Sequence, residues 1–288
     1  MSSTMNPAPP TAPATAPAPE VTGRGPRDLA TMPSGFARSV ELFRLFRAEQ
    51  TDPDAFYTSL AADTTRELLR HTGLQGSRAI DIGGGPGYMA DALRAQGASC
   101  CMLEYDHAEM HGHGRKPDRA VRGDAQCLPV ASGSLDIVHS SNVLEHVPDP
   151  RKMLSEMVRV LAPGTGVGYV AFPNWYSPWG GHETAPWHWL SKSYSVERYT
   201  KKYGHKPKNE IDVSLFAVHI HEVVSWFRSR PDVEVLWMGP RYYPRWARPI
   251  VQVPVARELL TWNLCTVFRR RPDAGGSVAR EGGRGPGS

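Results

Sequence analysis

Apolar residues recur at two periods along this chain, and the change of period divides it. Over Phe36 to Glu49 (Phe36, Val40, Leu42, Phe43, Leu45, Phe46) and Pro53 to His71 (Phe56, Leu60, Leu68, Leu69) they return every three or four positions, which predicts two amphipathic helices. From Arg78 onward, short apolar runs alternate with helix-period segments. The runs Arg78 to Ile82, Ser99 to Glu104, Ala120 to Arg122, Leu135 to Ser140, Gly168 to Phe172, Val233 to Met238 and Trp262 to Arg269 predict strands. Gly87 to Gln96, Arg151 to Leu161 and His219 to Ser229 predict helices. Such alternation implies an α/β fold, a Rossmann-like doubly wound sheet that is mostly parallel, with helices on both faces. Ligands bind such a sheet at the carboxyl ends of its strands.

Two stretches break the alternation. Asn174 to Leu215 carries Trp175, Trp179, Trp187, His188, Trp189, Tyr194 and Tyr199, and Gly239 to Pro254 carries Arg241, Tyr242, Tyr243, Arg245 and Trp246. Long segments in compact domains are functional lids or disordered, and this aromatic density argues against disorder. Both follow strand ends, so they are expected to roof the cleft and form a substrate pocket. At the termini, residues 1–34 are Pro/Ala-rich and 272–288 Gly/Arg-rich, which predicts disordered tails around one domain over 35–271.

Composition narrows the function classes. At 288 residues and 40% hydrophobic content, the chain buries one full-sized core. Much of the net charge of +4 is assigned to Arg269, Arg270, Arg271, Arg280 and Arg284, a tail rather than a patch on the fold. No basic stripe with interleaved aromatics marks a nucleic-acid partner. The four cysteines show no C-x-x-C pair, which suits a reduced compartment. The N-terminus lacks a basic start and an apolar signal core, and Pro249 to Phe268 is interrupted by Pro254, Arg257 and Glu258. A soluble, cytoplasmic protein is the expectation; the oligomeric state is not readable.

The stretch with the most chemistry is Ala-Ile-Asp-Ile-Gly-Gly-Gly-Pro-Gly-Tyr-Met-Ala, residues 79–90. An apolar run ends in Asp81. A turn of Gly83, Gly84, Gly85 and Gly87 then lets a ligand approach the main chain, at the start of a helix whose free N–H groups favour a small anionic group. A carboxylate here would repel a dinucleotide's pyrophosphate. S-adenosylmethionine (SAM), with an ammonium, a sulfonium and one carboxylate, fits better. About twenty residues on, Glu104 ends the next strand, where it can accept from ribose hydroxyls. Asp124 and Ala125 end the third, placed for an adenine amino group and ring nitrogen, with Leu128 packing on the base. Ser141 and Asn142 follow the fourth, beside the methionine end.

These residues resemble class I SAM-dependent methyltransferases of the small-molecule type (methyltransferase domain 11-like). The D-x-G-x-G-x-G turn falls at Asp81, Gly83, Gly85 and Gly87, the acid at Glu104, the G-D-A-x-x-L-P step at Asp124 and Ala125, and the L-E-H-V loop at 144–147. By motif the resemblance covers Arg78 to Phe172, with a SAM-binding core over 74–173. More loosely, Phe36 to Phe268 is similar to a bacterial subgroup with no assigned substrate that shares the runs at Phe56 to Thr64, Gly180 to Glu183 and Tyr243 to Ala247. The family implies a seven-stranded sheet with a reversed last strand, and methyl transfer by in-line attack on the sulfonium.

Transfer to oxygen or nitrogen needs a proton removed, and a histidine near neutral pKa is the natural acceptor. His146 follows the fourth strand and His182 lies in the aromatic insertion beside Glu183, so these two are the catalytic candidates. His219 and His221 alternate near a helix start and read as structural. No His/Cys/carboxylate group has metal-ligand spacing, so no metal is expected. The methyl acceptor is a small molecule or, given the aromatics and arginines of 241–248, a lipid-like compound met at a membrane surface. Two other readings stay open. One is an NAD-dependent oxidoreductase, because Gly85, Gly87 and Ala90 also satisfy a dinucleotide fingerprint. The other is a SAM-binding module without catalysis.

Overall fold

The computed structural model describes residues 27–49 and 51–273. The seven strands β1 (Arg78–Ile82), β2 (Ser99–Glu104), β3 (Ala120–Arg122), β4 (Ile137–Ser141), β5 (Val167–Pro173), β6 (Val233–Pro240) and β7 (Asn263–Arg270) form one sheet in the order β3-β2-β1-β4-β5-β7-β6. Strands β1 to β5 pair in parallel, while β7 runs antiparallel between β5 and β6, so the expected reversed strand is present. Strand order reverses between β1 and β4. That is the switch point where an open α/β sheet leaves a crevice at its carboxyl edge.

Alternation along β1 explains the two faces. Ile80 and Ile82 join a core with Leu103, Val138, Met153 and Phe268. Ala79 faces the opposite way, into a core with Met89, Leu93, Tyr169 and Val267. The helices are α1 (Gly35–Arg47), α2 (Pro53–Leu68), α3 (Tyr88–Ala95), α4 (His107–Met110), α5 (Pro150–Val160), α6 (Lys192–Tyr203), α7 (Ile220–Arg228) and α8 (Ala256–Leu260). Asp52 starts α2 by accepting from the Ala55 N–H, with Pro53 in the first turn where no N–H is needed. Asp149 and Pro150 start α5 in the same way.

Three departures from the sequence reading have physical causes. Most of the two expected tails lies outside the described residues, but 27–34 and 272–273 belong to the fold. Leu29–Thr31 forms a turn capped by Asp28, Met32 is buried, and Arg27 pairs with Glu41 at 2.7 Å. Arg269 and Arg270 are not tail residues. They end β7, and Arg270 donates to the Arg159 and Leu161 carbonyls at 2.9 and 3.1 Å. The aromatic segment Asn174 to Leu215 also contains α6, started by Ser191 and ended by Gly204 in a left-handed conformation. No helix among the described residues is long and apolar enough to cross a membrane.

Candidate active site

The glycine turn joins β1 to α3 at the switch point. Gly83 has φ +68°, and a β-carbon there would fall 2.1 Å from Val143 Cγ2, so the turn sits hard against the loop after β4. Gly85 has φ +49°, and a β-carbon there would meet nothing within 4 Å, so the space before the turn is open. Beneath the turn, Asp81 is 1% exposed. Its Oδ1 lies 2.7 Å from His139 Nδ1 on β4, and its Oδ2 has no hydrogen-bond partner. The pair exists because Asp81 and His139 are in register across β1 and β4. His139 in turn stacks on Tyr169 at 5.2 Å.

Glu104 ends β2 and closes over the same turn. Its carboxylate accepts from the backbone N–H groups of Gly85 (3.1 Å), Tyr105 (2.8 Å) and Asp106 (3.1 Å). Burial pushes its pKa up, against the pull of those three donors. Asp124 is exposed and its Oδ1 accepts from the Gln126 N–H at 2.8 Å, so it holds its own turn. Ala125 beside it is buried. Leu128, expected on the base, instead belongs to the core below the sheet. After β4, Ser141 Oγ accepts from Arg241 Nη1 at 2.6 Å, and Asn142, with φ +56°, accepts on Oδ1 from Asn263 Nδ2 at 3.1 Å. Asp81, the glycines, Glu104, Asp124, Ala125, Ser141 and Asn142 thus share the carboxyl edge.

A second group lies past β4, and it brings both candidate histidines together. The rings of His146 and His182 meet edge to face at 5.1 Å, and Nε2 of each is 3.9 Å from Glu145 Oε1. Burial pushes the Glu145 carboxyl up to about 7, opposed by His146. Burial, with His146 adding to it, pushes His182 down to about 4. The carboxylate next to His182 in sequence points elsewhere: Glu183 accepts from Asn209 Nδ2 at 2.9 and 3.1 Å. His219 starts α7 in a capping box with Glu222, a structural use.

Sequence reasoning gave no role to His139 or Glu145, and it placed Arg241 with the aromatics and arginines facing a lipid-like acceptor, whereas the structure buries it. His139 needed the strand register. Glu145 needed the return of a segment 37 residues later, counted from residue 145 to residue 182. Arg241 is 4% exposed and joins Ser141 to Thr64 of α2, at 2.6 and 2.9 Å. Its neighbours in the basic-aromatic run are also fastened: Tyr243 donates to the Leu260 carbonyl at 2.6 Å, and Arg245 pairs with Glu67.

The family described as "Methyltransferase domain" matches residues 80–170. An uncharacterized methyltransferase of Mycolicibacterium gilvum is 42% identical over 252 residues, covering 84% of this chain and 98% of that protein. Another, of Mycobacteroides abscessus, is 38% identical over 257 residues, covering 85% and 98%. A crystal structure of an S-adenosylmethionine dependent methyltransferase from Mesorhizobium loti aligns with 19% identity and a TM-score of 0.49, over 73% of this chain and 98% of that one. With relatives this similar over nearly their whole length, the chain belongs to the SAM-dependent methyltransferase family.

Proposed function

We propose that this methyltransferase carries a methyl group from SAM to a small-molecule or lipid-like acceptor, at the carboxyl edge between β1 and β4. SAM, when bound, supplies a methyl group on a positively charged sulfur. Asp81 puts negative charge beneath the glycine turn, suited to the cationic methionine end. Gly83, Gly85 and Gly87 keep the main chain bare, Glu104 takes the ribose hydroxyls, and Asp124 with Ala125 takes the adenine. Ser141 and Asn142 shape the floor beside the reacting carbon. The observation that carries this reading is the unpartnered Oδ2 of buried Asp81, which a β-carbon on Gly84 would meet at 2.7 Å, in a turn whose next residue, Gly85, faces open space. A pyrophosphate would be repelled by a carboxylate at that place, and a cation is not.

His146 and His182 stand on the acceptor side. They hold the nucleophile in line with the methyl carbon and deal with its proton, and positioning of this kind supplies much of the rate. A lipid-like acceptor is supported by a run of exposed apolar side chains. Phe36 and Val40 of α1 are 70% and 52% exposed, Phe43 touches Trp262, and Trp262 touches Tyr243 beside Leu260, itself 51% exposed.

Titration of the full chain with SAM and with NADH by calorimetry tests the cofactor. SAM is expected to bind and NADH to give no heat; the reverse sinks the proposal. Turnover of labelled SAM to S-adenosylhomocysteine with a lipid extract or a polar extract then separates the acceptor classes. Binding without turnover in either would leave a SAM-binding module instead.

A further inference from the structure

Glu145, His146 and His182 each offer one ligand atom, and these three atoms lie within 4.8 Å of one another. Glu145 is 2% exposed, and neither carboxylate oxygen has a hydrogen-bond partner. A buried carboxylate left without a donor costs several kcal/mol, and protein folds rarely tolerate it without a function. The surroundings make the gap sharper. His146 Nδ1 is 2.7 Å from the Ser214 carbonyl oxygen. A carbonyl only accepts, so that nitrogen is a donor, and Nε2 is the ring atom turned toward Glu145, 3.9 Å from its Oε1. An imidazole that gives its second N–H to a backbone carbonyl is also how a metal-binding histidine is oriented.

His182 is delivered to this place by an unusual backbone. Its φ is +48°, a conformation that costs a non-glycine residue roughly 1–3 kcal/mol. The two residues before it have no room for side chains. A β-carbon on Gly180 would lie 2.2 Å from the Trp175 carbonyl oxygen, and one on Gly181 2.3 Å from the His188 ring. The Gly-Gly-His run is thus what lets the ring turn in toward Glu145.

We propose that Glu145, His146 and His182 bind one divalent transition-metal ion, and that its open positions hold an oxygen of the methyl acceptor. Two imidazoles and one carboxylate suit zinc, iron(II), cobalt or manganese better than magnesium or calcium, which prefer all-oxygen sites. Bonds of about 2.0–2.1 Å to nitrogen require the three atoms to draw in from their present spacing. His182, with a quarter of its side chain exposed, has the freedom to do so. The acceptor class then narrows to compounds with an acidic or chelating hydroxyl, such as phenols, enols and hydroxy acids, whose proton a bound cation makes easier to lose to water, so that His146 and His182 would act on that proton through the metal and not as bases. That narrowing rests on the methyltransferase reading above; the metal site itself does not.

The test uses the full chain dialysed against a chelator, then titrated with zinc, manganese and magnesium chlorides by calorimetry, with metal per chain measured by mass spectrometry. One zinc or manganese per chain is expected, with magnesium at least tenfold weaker. With cobalt(II), visible absorption bands of a low-coordinate nitrogen and oxygen site should appear. His182→Ala and His146→Ala should each lose at least tenfold in affinity, while exposed His221→Ala should keep it. Glu145→Gln adds a third probe, and if it fails to fold the two partly exposed histidines carry the test. A parent chain that binds no stoichiometric metal, or histidine variants that bind as well as the parent, overturns the proposal. SAM titrated into the metal-free chain reads the methyltransferase assignment separately, so metal binding without SAM binding would sink that assignment and not the site.

Discussion

Two glycines separate what the turn does for ligand from what the sheet does for stability. At Gly168, on β5, a β-carbon would stand 2.2 Å from the Phe268 ring, which is fully buried. Gly168→Ala is therefore an overpacking change, expected to cost about 1–3 kcal/mol of stability. At Gly85 an added β-carbon meets no protein atom, and the cost is the backbone strain of φ +49°, roughly 1–2 kcal/mol. Its side chain would, however, enter the space proposed above for SAM. Gly85→Ala is expected to lower SAM affinity at least tenfold, and Gly168→Ala to leave the affinity of the folded fraction unchanged. Urea unfolding and calorimetry on both variants check the pair; a Gly168→Ala protein with the larger loss of affinity would contradict it. The turn's glycines were readable in the sequence because Asp81, the turn and Glu104 are close along the chain. The role of Gly168 was not, because it depends on which ring lies across from it in antiparallel β7.

Helices α1 and α2 are held to the cleft wall by one buried carboxylate. Asp63 of α2 accepts from Arg38 Nε at 2.6 Å and from Arg66 Nη2 at 3.0 Å, and Arg38 Nη2 also donates to the Arg241 carbonyl at 2.8 Å. Burial alone would raise the Asp63 pKa, but the hydrogen bond and charge of Arg38, with Arg66 and Arg241, hold it below the ordinary carboxylate range. A depressed folded-state pKa gives stability that is fully present above the unfolded value of about 3.9 and is lost as pH falls through the folded value. Unfolding free energy should thus fall steeply below about pH 4, and Asp63→Asn should flatten that limb. At neutral pH the same variant leaves two arginines short of a partner and is expected to lose about 3–5 kcal/mol. Denaturant unfolding across pH 3 to 7 checks both limbs; parallel curves for parent and variant would refute the linkage. The helices with an apolar stripe were legible to within a few residues, α7 among them (Ile220–Arg228 against His219 to Ser229). Helix α6 was missed because it has no stripe. Lys192, Glu197, Arg198, Lys201 and Lys202 surround it and only Ser195 is buried, so only its end signals, Ser191 and Gly204, marked it.

At the scale of the whole molecule, strand order set the site and the sequence could not supply it. Alternating periods were enough for an α/β sheet, yet the pairing of Asp81 with His139 follows from β1 and β4 being neighbours, which no local pattern states. The group of Glu145, His146 and His182 depends on still longer range. The segment after β5 leaves the sheet, forms α6, and returns so that the Phe216 N–H donates to the Glu145 carbonyl at 2.7 Å and Ser214 meets His146. Next to these contacts the Asn174 N–H donates to the Trp262 carbonyl at 3.0 Å, just before β7, and thiol chemistry can report whether the edge formed by β5, β7 and β6 is closed. Cys265 lies on β7 with a strand on either side, and burial pushes its thiol up to about 12. Cys100 on β2 and, less completely, Cys101 are pushed up by burial too, while Cys127 is exposed. Since the thiolate is the reactive form, a disulfide reagent at pH 7.5 should modify one thiol rapidly and the rest only as the fold opens. Cys127→Ser should remove the rapid phase, and the slow phase should quicken in step with urea. Labelling of Cys265 as fast as Cys127 in the folded chain would mean that β7 is not enclosed between β5 and β6.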